Sequence, residues 1–248
     1  MRNHISYRSG NPALTSNSFD STIDNSTSQV MTLDGAVNKT ILCLGLLLTS
    51  GIYSFRNYEI WMSLIWPLVI VGFIVALITI FKKTWSPVTA PIYAVVEGLA
   101  LGAISMGFEK MFPGIAFQAI YLTCGIFLTL LFLYKFRIIN ATENFKLGLV
   151  AATGGIFLVY LTSFIMSFFG ASIPIMNPLN GSIISIGFSL FVVVIAALNL
   201  VLDFDFIEEG AENGAPKYME WYSAFGLMVT LVWLYLEILK LLSKLRSR

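Results

Sequence analysis

The sequence predicts an all-α polytopic membrane protein, a bundle of seven transmembrane helices, on three observations. Hydrophobic residues make up 57% of the 248 and charged residues only 12%, with a mean hydropathy of +0.81, far from the profile of a soluble domain. The apolar residues gather into seven stretches, most of them near the roughly 20 residues that a helix needs to cross about 30 Å of hydrocarbon. Helix breakers and short polar segments separate these stretches.

In chain order, residues 1–35 are rich in Ser, Asn and Thr and read as a flexible polar tail, because such a composition cannot bury enough apolar surface to fold alone. The tail has no basic region followed by a short apolar core and a small-residue cleavage site, so it is not a signal peptide, and the first apolar helix must direct insertion. Residues 36–248 form the membrane domain. Its expected spans are Thr40–Phe55, Ile60–Phe81, Pro87–Phe108, Ile115–Tyr134, Leu147–Phe169, Ser182–Phe206 and Tyr222–Leu242. The first is short unless Ala36–Lys39 form its opening turn, with Lys39 snorkelling to the headgroups. The breakers are Arg56-Asn57, Lys82-Lys83, Pro113-Gly114, Lys135–Lys146, Gly170–Gly181 and Glu208–Lys217. An odd count without an echo between halves argues against a transporter built from paired repeats.

The distribution of Lys and Arg sets the orientation. With a cytoplasmic amino terminus, that side carries Arg2, Arg8, Lys39, Lys82, Lys83, Lys135, Arg137, Lys146 and Lys217. The other side carries Arg56, Lys110, Lys240, Lys244, Arg246 and Arg248. The balance favours the amino terminus inside, although the basic carboxyl-terminal tail conflicts with it unless the last helix stops short of crossing.

Several function classes drop out. A net charge of +1 supplies no field for steering nucleic acid. Cys43 and Cys124 lie in apolar stretches and act as small hydrophobes. The one histidine, His4, sits in the tail, which leaves no cluster for zinc or haem and no histidine-assisted nucleophile in the membrane. The expectation is a protein that is not an enzyme and has no cofactor. The sequons at Asn25, Asn38, Asn140 and Asn180 are short enough to arise by chance. Gly98 and Gly102, then Ala151, Ala152, Gly154 and Gly155, then Ala196 and Ala197, mark places where helices can approach closely.

The chemistry rests on carboxylates, because a charge at the bilayer centre costs at least about 2.5 kcal/mol and acids retained there are functional candidates. Glu97 falls near the middle of the third span. Its alternative role is structural, a neutral carboxyl bonded to a neighbouring helix. Asp203 and Asp205 share the run Leu202-Asp203-Phe204-Asp205-Phe206, with Asn199 one turn before Asp203 on the same face. Two residues apart on a helix, the aspartates do not face one partner. Glu208, Glu209 and Glu212 follow and read as headgroup-level sequence, so Asp203 is the deeper candidate. Glu237 lies in Trp233-Leu234-Tyr235-Leu236-Glu237-Ile238, and its alternative is an i,i+3 pair with Lys240. If Asp203 and Glu237 meet, they cannot both ionise cheaply in a low dielectric and would share one proton, a pH-operated latch whose oxygens also suit calcium. Asp203 counts out near one face and Glu237 some 20 Å from it at about 1.5 Å per residue. Tilt, or a sixth helix running past Phe206, must close that gap.

These residues carry a resemblance to the transmembrane Bax inhibitor motif family, the Bax inhibitor and YccA relatives. Leu202-Asp203-Phe204-Asp205-Phe206-Ile207-Glu208-Glu209 resembles the family's Asp-containing sixth helix. Leu234-Tyr235-Leu236-Glu237-Ile238-Leu239 resembles its final-helix motif, where the acid is usually Asp. Glu97-Gly98-Leu99-Ala100-Leu101-Gly102 resembles its Gly-rich third helix, and Ser9-Gly10-Asn11-Pro12-Ala13-Leu14 resembles the amino end of a longer-tailed bacterial branch. The resemblance covers most of residues 36–245. It implies seven helices in a bacterial inner membrane, and a two-acid, pH-sensitive gate for calcium leak, matched by Asp203 and Glu237. Asp205 is a further gate candidate and Glu97 an auxiliary metal site beside Asp203 and Glu237. The expected partners are the lipid bilayer, calcium or protons, and a membrane protein; nucleic acid is not one.

Two other classes compete with the leak channel. One is an interaction protein that modulates a membrane protease or a cell-death pathway through its tail and loops, without conducting ions. The other is an intramembrane aspartyl protease, which the absence of a Gly-x-Gly-Asp run and the Glu in the last helix argue against.

Overall fold

The computed structural model describes residues 30–139 and 141–248. The polar tail over residues 1–29, with His4, Asn25 and the Ser9–Leu14 motif, and the sequon at Asn140 lie outside the described residues. The chain is all-α: among the described residues the helices are α1 (Leu33–Arg56), α2 (Tyr58–Ser63), α3 (Ile65–Phe81), α4 (Ser86–Met111), α5 (Ile115–Lys135), α6 (Glu143–Phe168), α7 (Ile183–Glu212) and α8 (Met219–Arg246). Six are long and apolar enough to cross a membrane, and α3 is a shorter apolar helix. The seven expected spans therefore each find a helix.

Three boundaries differ most from expectation, the first two for a local reason. α1 opens at Leu33, inside the stretch read as tail, because Thr32 caps it: its hydroxyl accepts from Gly35 N at 3.0 Å, and Asp34 stands in the first turn. The second span is broken at Leu64, where φ is −99° and ψ 10°. Pro67 has no N–H to give the Ser63 carbonyl, and its ring crowds that carbonyl, so the helix restarts one turn earlier. The sixth span runs on to Glu212, six residues past Phe206, which sets Asp203 deeper within its helix than the sequence count did.

The chain divides into two compact units. The first, as far as it is described, takes residues 30–107 and Asp203–Val229. Here α1 and α4 cross at glycines: Gly51, Gly98 and Gly102 bring the backbones so close that a Cβ on Gly102 would collide with the Gly51 carbonyl, and one on Gly98 with Leu47 and Ser50. The Ser54 hydroxyl donates to the Leu99 carbonyl at 2.6 Å across this crossing. The GxxxG spacing thus does what small residues do in membranes. Pro91 sits inside α4 without ending it, a tolerance usual in membrane helices. The first turns of α8 are wholly buried at Tyr222 and Phe225, and Tyr93 of α4 meets Phe225 edge-on at 5.0 Å.

The second unit takes Phe108–Leu202 and Thr230–Arg248. Its core joins Leu149 and Ile156 of α6 to Val192, Ile195 and Leu202 of α7, with Trp233 of α8 packed against them. Asn199 ties α7 to α6 by donating to Thr153 Oγ1 at 2.9 Å, and also bonds the Ile195 carbonyl at 2.8 Å. Of the small residues in α6, Gly154 and Gly155 do not mark a helix approach: nothing lies within 4 Å of where their Cβ atoms would stand. They fall on the largely exposed face of α6. Glu109 accepts from Gly114 N and Ala116 N and so caps α5 after the turn at Gly114, whose φ is 82°. Cys43 is buried, Cys124 exposed, and both are free thiols.

Candidate functional site: carboxylates in apolar helices

Glu97 lies in α4 of the first unit and is half-buried. It faces α3 at a glycine: a Cβ on Gly72 would stand 3.2 Å from Glu97 Oε2. Among the described residues no hydrogen bond or ion pair reaches this carboxylate. Tyr93, one turn earlier on the same face, is buried beside it.

Asp203, also in the first unit, is wholly buried after Leu200, Val201 and Leu202, which are buried completely too. Asp205 is half-buried. The helical repeat turns the two acids to different sides. Their contrasting burial follows from that.

Glu237 belongs to the second unit and is 2% exposed. The Lys240 ammonium stands 2.9 Å from its Oε1, and the Tyr160 hydroxyl hydrogen-bonds the same carboxylate. Lys240 also lies over the Tyr160 ring, 5.0 Å from its centroid, so cation, phenol and carboxylate form one cluster between α6 and α8. The i,i+3 pair weighed from the sequence is present. Asp203 and Glu237 fall in different units. Among the described residues no group of three or more His, Cys, Asp or Glu side chains could hold a metal ion.

Two buried charges escaped the sequence reading. Glu220, 1% exposed, accepts through Oε1 from Thr32 N and Thr32 Oγ1, each at 3.0 Å, and pairs with Lys217 Nζ at 2.8 Å. A Cβ on Gly35 would strike this carboxylate. Met31 N donates to the Ala215 carbonyl at 2.7 Å, and Val30 bridges to Pro216. The carboxylate thus fastens the start of α1 to the start of α8. Lys244, 2% exposed, gives its ammonium to the Ile175 carbonyl at 2.6 Å, Ser189 Oγ at 2.8 Å and the Ser185 carbonyl at 3.3 Å. Three donors meet three acceptors. Arg246 likewise bonds the Pro113 carbonyl at 2.7 Å and Gln118 Oε1 at 2.8 Å. α8 is 28 residues long, enough to cross the bilayer, and much of the basic tail is spent on protein acceptors.

The comparison that decides the family runs nearly the full length of the chain: the profile of the Bax inhibitor 1 like family matches residues 11–247. The chain belongs to the Bax inhibitor 1 like family. No match was found among curated proteins. Family membership and the apolar helices together make this an integral membrane protein. For a Bax inhibitor 1 like chain, the acids of α4, α7 and α8 are the features that composition alone does not require.

Proposed function

We propose that this Bax inhibitor 1 like protein is a pH-sensitive calcium leak pathway, not an enzyme, with Asp203 and Glu237 as its gating acids and Glu97 as an auxiliary cation site. The observation that carries the reading is that the last two apolar helices each keep a fully buried carboxylate, Asp203 at 0% and Glu237 at 2% exposure. An acid at such depth is costly and is retained where ions or protons pass. Carboxylate oxygens are the hard ligands that calcium takes, and acids lining a cation route favour it electrostatically. Protonation switches both properties off, which couples conduction to pH. Asp205, two residues on, is the second choice for the gating acid of α7.

The orientation proposed is amino terminus inside, in a bacterial inner membrane. Lys39, Lys82, Lys83 and Lys217 then fall on the cytoplasmic side, as the positive-inside rule asks. That Lys244 and Arg246 are bound to protein acceptors eases the conflict posed by the basic tail.

The test is calcium flux into liposomes holding the purified protein, measured across a pH series. Wild-type protein should conduct with a pH dependence that Asp203→Asn and Glu237→Gln each flatten by tenfold or more. Thermal unfolding of the same samples would show the variants folded. Absence of flux, or pH profiles that both variants leave intact, would overturn the channel.

A second reading, modulation of a membrane protease or cell-death partner through the tail, draws on the fastening of residues 30–35 by Glu220 and Ala215. That anchor fixes where the tail leaves the bundle. Partner capture lost on deleting residues 2–29, with flux absent throughout, would favour it.

A further inference from the structure

One end of the first unit gathers lysines and tryptophans that the ion pathway does not use. Lys39 of α1 lies over the Trp221 ring, 4.9 Å from its centroid, and Lys83 lies over the ring of the next residue, Tyr222, at 5.8 Å. Lys82 lies over Trp85 at 4.6 Å. The Ser86 hydroxyl donates to the Tyr218 carbonyl at 2.9 Å, which fixes the turn carrying Lys82, Lys83 and Trp85 against the first turn of α8. Three ammonium groups from two separate stretches of chain are thereby held around the two adjacent rings of α8 and the ring of Trp85.

Among the described residues their charges are not answered by acids. Among the described residues no carboxylate lies within ion-pair distance of Lys39, Lys82 or Lys83. The nearby Glu220 is already taken by Lys217 and Thr32. Lys82 and Trp85 are exposed, while Lys39 and Lys83 are half-buried, so the cluster is open to its surroundings. Lys82, Lys83 and Trp85 lie between the end of α3 and the start of α4, and Lys39 stands in the second turn of α1, the level at which tryptophan and lysine anchor at the headgroups. Aromatic faces hold the ammoniums in place without neutralising them.

We propose that Lys39, Lys82 and Lys83, with Trp85 and Trp221, form a binding site for the phosphate headgroup of an anionic phospholipid. A phosphodiester with net negative charge supplies the counter-charge, and its acyl chains would continue along the apolar helices. Basic pockets between membrane helices recognise anionic headgroups on these terms, each lysine strengthening binding by about fivefold. A zwitterionic lipid carries the same phosphate but cancels it with choline, so it should bind weakly. The site uses none of the proposed gating acids and holds whether or not the protein conducts calcium.

The test is titration of the full-length protein in neutral detergent with dihexanoyl phosphatidylglycerol, dihexanoyl phosphatidylcholine and inorganic phosphate, read by tryptophan fluorescence and native mass spectrometry. Wild-type protein should bind the phosphatidylglycerol at least tenfold more tightly than the phosphatidylcholine. The variant Lys39→Gln/Lys82→Gln/Lys83→Gln should lose about a hundredfold in affinity, and the corresponding triple arginine variant should retain it. Should the triple glutamine variant fail to fold, Lys82→Gln alone, at an exposed position, should cost about fivefold. Equal binding of the two lipids, or unchanged affinity in the glutamine variants, would overturn the site. Displacement of phosphatidylglycerol by equimolar inorganic phosphate would overturn the lipid as its ligand.

Discussion

At the scale of single residues, the glycines divide into those the fold consumes and those it leaves free. Gly102 belongs to the first kind, because a Cβ there would meet the backbone of Gly51, which cannot rotate away as a side chain could. Gly102→Ala should therefore force α1 and α4 apart and cost about 1–3 kcal/mol, seen as a lowered unfolding midpoint in detergent. Gly154→Ala is the control: nothing lies within 4 Å of its Cβ position, and alanine is the better helix former by up to about 1 kcal/mol. Its midpoint should hold or rise. If both variants behaved alike, the crossing would not be a close one. The sequence made the first kind legible, since GxxxG spacing beside an intramembrane acid is a specific pattern, but small residues alone did not separate a packed helix face from an exposed one. Glu220 was missed for a related reason. It follows Glu208, Glu209 and Glu212, which read as headgroup-level sequence, and drew no reading of its own, whereas Thr32 before Asp34 was a visible N-cap signal that would have placed the start of α1 correctly.

At the scale of elements, the Lys240–Glu237 pair on α8 decides how Glu237 can exist in the apolar interior. With Lys240 present, a buried carboxylate has an ammonium at 2.9 Å and a phenol on the same cluster. Removing only the cation leaves the buried carboxylate with the phenol but without its counter-charge. Lys240→Met should thus cost about 1–3 kcal/mol, below the range for a fully enclosed pair because Lys240 is partly exposed. The double variant Lys240→Met/Glu237→Met should recover most of that loss, since two apolar side chains replace the pair without stranding a charge. Chemical unfolding of the single and double variants reads the difference directly, and a double variant worse than the single would refute the argument. The spacing of this pair was legible because i,i+3 geometry is local. The break between α2 and α3 was legible in principle, from Pro67, yet the unbroken apolar run Ile60–Phe81 masked it. The Tyr160 contribution was not legible, because it comes from a helix about eighty residues away in the chain.

At the scale of the whole molecule, length and hydropathy gave seven apolar helices and their order, because crossing hydrocarbon imposes a length on each helix independently of its neighbours. The division into two units was not accessible in the same way, since it depends on which distant helices pack together and its boundaries fall inside α4, α7 and α8. The amino-terminal limit of the membrane domain shows the same difference, and it can be tested. Composition sets that limit near residue 35, but Val30, Met31 and Thr32 bond to Pro216, Ala215 and Glu220, and Thr32 also caps α1. Deleting residues 2–29 should then leave the unfolding midpoint of the membrane domain within a degree or two, because that deletion removes none of these bonds. Deleting residues 2–35 removes the cap, worth about 1 kcal/mol. It also takes away two of the three groups that answer the Glu220 carboxylate, and an inadequately partnered buried charge costs more than the cap does. The longer deletion should lower the midpoint sharply. Adding Glu220→Gln to it should restore part of the loss, since an amide is cheaper than a carboxylate to leave buried with few partners. Equal midpoints for the two deletions would mean that the strap on α8 is ornamental and that the membrane domain begins where composition alone would put it.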